Sequence, residues 1–166
     1  MKPKMQFDPE RDLLLERVVP IRRELVWRAW TEPQHVMQWF TPRPWSTVAC
    51  RLDLQPGGEF YTRMQSPEGQ GFDNYGCFLE VIPQTRLIWT DALTQGYRPS
   101  ETGFGPEEKG FFTGILTLED HPQGTLYRAQ VMHKNALYRK THEDMGFHQG
   151  WGKALDQLVA YMQSLG

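Results

Sequence analysis

Three side chains stand where hydrogen-bonding or acid–base chemistry could be done. His133 closes a run in which Tyr127, Ala129, Val131 and His133 share one parity, opposite Arg128 and Gln130. Asp91 closes another, with Leu87 and Trp89 on its face. His148 lies at the edge of the apolar stripe of a C-terminal helix. Side chains of equal parity in a strand point to one face, so His133 and Asp91 point inward if those faces form the core. In an antiparallel meander the two strand ends flank the start of the strand between them, at Phe111-Phe112, which sets the two groups about 10 Å apart. An imidazole and a carboxylate among aromatic rings suit orientation of a small molecule, or proton transfer to it.

Other chemistries find less support. His142 and His148 are six positions apart and project about 120° from each other on a helix, so they cannot share a metal from one helix face. There is no Gly-x-Ser-x-Gly elbow and no phosphate-binding glycine loop, and neither Cys50 nor Cys77 has a base in sequence context. No metal and no cofactor is implied. The two cysteines fall on strands separated by a third, about 10 Å apart, too far for a disulfide. They are read as small core residues.

The elements that must position these groups follow from periodicity. Leu13 to Val19 is a strand ending at Pro20. Arg23 to Trp30 has helical spacing, and Thr31-Glu32-Pro33 stops that helix and starts a second one running to Trp39-Phe40. From Thr47 the period becomes two, and Gln55-Pro56-Gly57-Gly58 turns the chain into Glu59 to Met64. Further strands follow at Asn74–Ile82, Arg86–Asp91, Phe111–Glu119 and Thr125–His133. Ala92 to Gly110 is a long Gly/Pro-rich passage without a period, a length that in compact domains often serves function, here as a lid.

Thr141 with Asp144 has the spacing of a capping box and predicts a long terminal helix beginning near residue 140. Phe147, Trp151, Leu155, Leu158, Met162 and Leu165 form its stripe, and Gly146, Gly150 and Gly152 make it narrow, as a helix roofing a cavity would be.

The strand, two helices, six antiparallel strands and long terminal helix resemble the START-like, birch-pollen-allergen-like superfamily of helix-grip domains. Within it, the sequence resembles the family named after the activator of the heat-shock-protein-90 ATPase. The residues carrying this resemblance are Pro20 to Pro33 with Trp39-Phe40, Asp53-Leu54-Gln55-Pro56-Gly57-Gly58, Gly76 to Pro83 with Arg86-Leu87, and Met145 to Trp151. It spans roughly residues 13 to 165.

What the resemblance implies is an α+β fold: a curved antiparallel sheet of six or seven strands gripping the terminal helix, with a cavity between them. Residues 11–166 would be one such domain and 1–10 an N-terminal extension. Function follows only loosely, since the superfamily holds lipid carriers, hormone receptors and cyclases. Chaperone activation is not carried over from the family's name.

Trp39, Phe60, Trp89, Asp91, Phe112, His133, Met145, His148 and Trp151 are the residues expected to border the cavity. The aromatic members could equally be core packing, and His133 and Asp91 could be solvated or hydrogen-bonded strand ends. Three functional classes are weighed, in this order: binding of a small apolar or amphipathic ligand, a cyclase- or hydrolase-like enzyme using the same cavity, and a co-chaperone-like interaction module. A net charge of -2 with no basic cluster argues against nucleic acid. No apolar run approaches 18 residues, so no membrane span or signal peptide is expected. The cytoplasm is the expected compartment, and a homodimer is a further assembly left open.

Overall fold

Alternating strand periodicity and two helical interruptions produce a single seven-stranded antiparallel sheet in the computed structural model, which describes residues 6–166. Chain order is β1 (Asp12–Val19), α1 (Arg23–Thr31), α2 (Pro33–Trp39), β2 (Ser46–Leu52), β3 (Glu59–Gln65), β4 (Gly71–Ile82), β5 (Arg86–Thr90), β6 (Leu93–Thr94), β7 (Arg98–Pro99), β8 (Phe112–His121), β9 (Gly124–His133), α3 (Ala136–Asp144) and α4 (Phe147–Ser164). The sheet order is β1-β9-β8-β5-β4-β3-β2, with β6 and β7 forming a separate two-stranded ribbon. Residues 1–5 of the expected extension 1–10 lie outside the described residues; Asp8 to Asp12 form a turn closed by Asp12 N–H donating to the Asp8 carbonyl at 2.8 Å.

Pro33 enters α2 at its first turn, where its missing N–H costs nothing. The indole N–H of Trp39 donates to the Ala29 carbonyl at 2.9 Å and ties α2 to α1. Both helices and α4 lie on the concave face of the sheet. There Val26, Ala29 and Trp30 of α1 and Leu155, Leu158 and Met162 of α4 share one buried core with Leu87, Leu116, Tyr127 and Ala129 of the strands. The two cysteines are free and lie on either side of β3, opposite Thr62 and Glu59. Cys77 is buried, Cys50 half-buried.

The terminal helix is not continuous, which corrects two expectations. Gly146 adopts φ 98°, ψ 32°, a conformation that L side chains avoid, and it separates α3 from α4. The N-cap is also different. Asn135 caps α3 by accepting the Tyr138 N–H at 3.1 Å, whereas Thr141 is interior and bonds the Leu137 carbonyl. The other two glycines do not face a cavity. A Cβ at Gly150 would meet Pro42 at an ordinary 3.7 Å, and one at Gly152 would press Arg17, whose guanidinium pairs with Asp156 at 2.6 Å. Leu165 of the expected stripe is exposed.

Candidate functional site

Strand register brings the chemistry-bearing residues to one end of the helix–sheet interface. Phe112 is paired with His133 across β8 and β9, and the Asp91 N–H donates to the Phe112 carbonyl from the end of β5. Asp91 Oδ1 in turn accepts the Phe112 N–H at 2.9 Å. Asp91, Phe112 and His133 therefore form a row across three adjacent strands, as parity requires. Burial pushes the Asp91 carboxyl up to about 6, because the Phe112 N–H only partly offsets lost hydration.

His133 makes two contacts that define its state. Its Nδ1 lies 2.8 Å from the Arg11 carbonyl and its Nε2 lies 2.9 Å from Nδ1 of His142. Burial lowers the pKa of both rings, that of His142 to about 4, with the neighbouring imidazole a smaller cause there. His142 was not among the sequence candidates. It reaches His133 because α3 is capped by Asn135 and begins at Ala136, and Tyr138 and His142, four apart, then share one helix face. The Asn135 cap was the signal available for that phase.

Aromatic rings enclose this pair. His142 has ring centroids at 5.2 Å from Phe104, 5.3 Å from Phe112, 5.5 Å from Phe147 and 6.4 Å from Trp151. Phe104 belongs to the 92–110 passage, which is an ordered cover: Phe104 and Gly110 exchange backbone hydrogen bonds at 2.7 and 2.8 Å, and the Tyr138 hydroxyl donates to the Pro106 carbonyl. Phe112, His142 and Trp151 remain half-buried, so this end is not sealed.

The other expected residues lie elsewhere. Trp39, Phe60 and Trp89 are buried in a continuous ring cluster: Trp30 sits 5.1 Å from Trp39 and 5.2 Å from Trp89, and Phe60 sits 5.0 Å from Phe78 and 5.8 Å from Trp89. Trp89 lies over Gly114, where a Cβ would come within 2.5 Å of the indole. These three side chains contact rings where an open space was expected, because Trp30 of α1 occupies the gap. Met145 is 65% exposed at the α3–α4 junction, the consequence of the break at Gly146. His148 is at the surface, 3.1 Å from Glu143.

Two surface depressions lie away from the His133–His142 pair. One of about 310 Å³ is lined by charged residues including Arg22, Arg23 and Asp120. The other, about 410 Å³, lies between α2, β2 and α4, with Phe40, Trp45 and Gln157 in its wall. Neither contains a residue of the Asp91–Phe112–His133 row. Among the described residues no group of three or more His, Cys, Asp or Glu is arranged to hold a metal, and no helix is long and apolar enough to cross a membrane.

A curved antiparallel sheet closed over a C-terminal helix, with two short helices after the first strand, defines an α+β helix-grip domain. The family model of Activator of Hsp90 ATPase homolog 1-like protein matches residues 20–163, and the chain belongs to that family. A solved structure of a protein from Nitrosomonas europaea is 47% identical, covering 95% of this chain and 97% of that one at a TM-score of 0.88. A protein from Rhodobacter sphaeroides is 20% identical, with 93% and 94% covered and a TM-score of 0.79. An AHSA1-like protein from Aeromonas hydrophila is 23% identical, with 93% and 94% covered and a TM-score of 0.69. The last two likenesses concern the fold alone. Comparison with curated proteins returns no match.

Proposed function

We propose that the chain binds a small apolar or amphipathic molecule where Asp91, Phe112, His133, His142 and Trp151 converge. The observation that carries this reading is a hydrogen-bonded imidazole pair enclosed by aromatic rings, with His133 buried and His142 half-buried beneath an ordered loop. Apolar walls with a few convergent polar groups are the usual composition of a small-molecule site. Trp39, Phe60 and Trp89 act in this reading as core packing at the other end of the interface, and Met145 and His148 take no direct part. Membership in a family of helix-grip domains that commonly bind hydrophobic ligands supports it. A soluble setting such as the cytoplasm fits the same reading.

The test is an environment-sensitive apolar dye, titrated into the folded protein and followed by side-chain NMR. One-site binding that perturbs Phe112, His133, His142 and Trp151 is expected. Absence of binding, or perturbations confined to Phe40, Trp45 and Gln157, would overturn the assignment.

A second reading, acid–base catalysis of the cyclase or hydrolase kind, is favoured by one observation. Asp91 titrates near 6 and therefore changes protonation state close to neutral pH, as a general acid or base should. Turnover that follows a group titrating near 6, and that is lost in Asp91→Asn with binding retained, would support it. Turnover indifferent to that substitution would exclude it.

A further inference from the structure

The hydrogen-bond chain running from Arg11 through the two histidines has only one consistent polarity when both rings are neutral. A backbone carbonyl can only accept. The Arg11 carbonyl accepts the backbone N–H of His133 at 3.1 Å and faces Nδ1 of the same residue at 2.8 Å. Nδ1 of His133 therefore carries the proton, and the Nε2 of a neutral ring is a lone pair. That lone pair meets Nδ1 of His142 at 2.9 Å, so the second ring must donate there. The proton of His142 is then committed to Nδ1, and its Nε2 is left as an acceptor. Among the described residues no donor bonds this atom, which keeps access to solvent on the half-buried ring.

The surroundings restrict what could satisfy it. Phe104, Phe112, Phe147 and Trp151 present rings around the imidazole at the distances given above. Asp91, across the row, adds a carboxyl to this end of the sheet, and the nearby Arg139 guanidinium is already engaged by Glu143 at 3.0 Å and by the Asp12 carbonyl. A carboxylate ligand brings only acceptor atoms and would oppose a lone pair with another. A hydroxyl or N–H group fits, because it replaces water at Nε2 with a hydrogen bond that an ether of the same shape cannot make.

Resting on the binding reading above, we infer that the molecule recognised at this site is an uncharged amphiphile that donates a hydroxyl or N–H hydrogen to Nε2 of His142. His133 is a positioning residue in this arrangement. It acts by holding the tautomer of its neighbour, with the Arg11 carbonyl as the fixed reference for both rings.

The experiment uses the whole chain at pH 7 and three matched probes: 2-naphthol, 2-methoxynaphthalene and 2-naphthoate. Naphthol should bind about tenfold tighter than the methyl ether, the ratio one enclosed hydrogen bond can give. In His142→Phe that preference should vanish while the ether still binds. Long-range proton–nitrogen NMR of the unsubstituted protein supplies a readout that needs no variant. Both Nε2 atoms should register as unprotonated, and naphthol should shift the His142 Nε2 resonance.

Equal affinity for naphthol and its ether would overturn the inference while leaving the binding site in place. Failure of all three probes would overturn the binding reading itself, and the inference with it. Tightest binding of naphthoate, or protonated Nε2 resonances, would reverse the polarity of the chain and refute the donor requirement.

Discussion

The two ends of the helix–sheet interface use the same residue types to opposite effect. At one end Trp30, Trp39, Phe40, Phe60, Phe78 and Trp89 pack ring against ring, and the Trp39 indole N–H is satisfied within the helices. At the other, Phe104, Phe112, Phe147 and Trp151 surround two imidazoles, with a carboxyl in the same row of strands. The first end supplies stability through ring packing, and it also buries the Trp30 indole N–H without a hydrogen-bond partner among the described residues. The second holds a half-buried imidazole whose Nε2 has no donor among the described residues, and under the proposed function its aromatic walls form the recognition surface.

The comparison breaks most readily by truncating one indole at each end. Trp89→Ala should cost about 3 to 5 kcal/mol, since the ring is buried between Trp30 and Gly114 and its loss leaves a cavity. Trp151→Ala should cost about half as much, because that ring is only half-buried. Its larger effect should be on dye binding. Urea denaturation of both variants checks the order, and equal costs would mean that the two ends do not differ in packing.

The pH dependence of stability sharpens it further. His142 is held neutral down to about pH 4, whereas in the unfolded chain it takes up a proton near 6.5, so its contribution is lost as pH falls between those values. Asp91 runs the other way: it keeps its proton up to about 6 when folded and releases it near 3.8 when unfolded, so stability is lost as pH rises through that window. The two slopes oppose each other. Asp91→Asn removes one and should raise stability at pH 7 by about 2 to 3 kcal/mol, after which stability falls monotonically on acidification to pH 4. In His142→Phe the slope of Asp91 is opposed only by that of His133, whose pKa burial also lowers, so stability should fall less on acidification than in Asp91→Asn. Parallel pH profiles for the two variants would show that these groups are not buried as the structure has them.

The smallest effects are expected at the glycines of the helix. Gly146→Ala should cost about 1 to 2 kcal/mol, because φ 98° is strained for any L side chain although nothing crowds a Cβ there. Gly150→Ala should stabilise by about 0.5 to 1 kcal/mol, given a helical conformation and an ordinary contact with Pro42. Thermal melts resolve both. Equal signs would mean that α3 and α4 are not separated at Gly146.

Local pattern was enough to read most of the strands, the Pro33 junction and the inward parity of Tyr127, Ala129, Val131 and His133. The alignment of Asp91 with His133 through Phe112 also followed, since a two-residue period and an antiparallel meander leave little freedom. The phase of the last third was misread. Thr141 with Asp144 has the spacing of a cap, but so does any such pair inside a helix, and Asn135 is the residue whose side chain bonds a free N–H, that of Tyr138. That error concealed His142 and set Met145 on the wrong side.

What the sequence by itself determined, then, is the set of elements, their order and the face of each strand that turns inward, because those depend on short-range periodicity and on backbone preferences. Tertiary structure decided which aromatic rings fill space and which enclose it. That outcome depends on Trp30 lying against Trp89 over Gly114, a contact among three distant segments. It also decided the protonation pattern of the histidines. The Arg11 carbonyl, His133 and His142 come from a turn, a strand end and a helix, and a tautomer is set only when all three are brought within hydrogen-bonding distance.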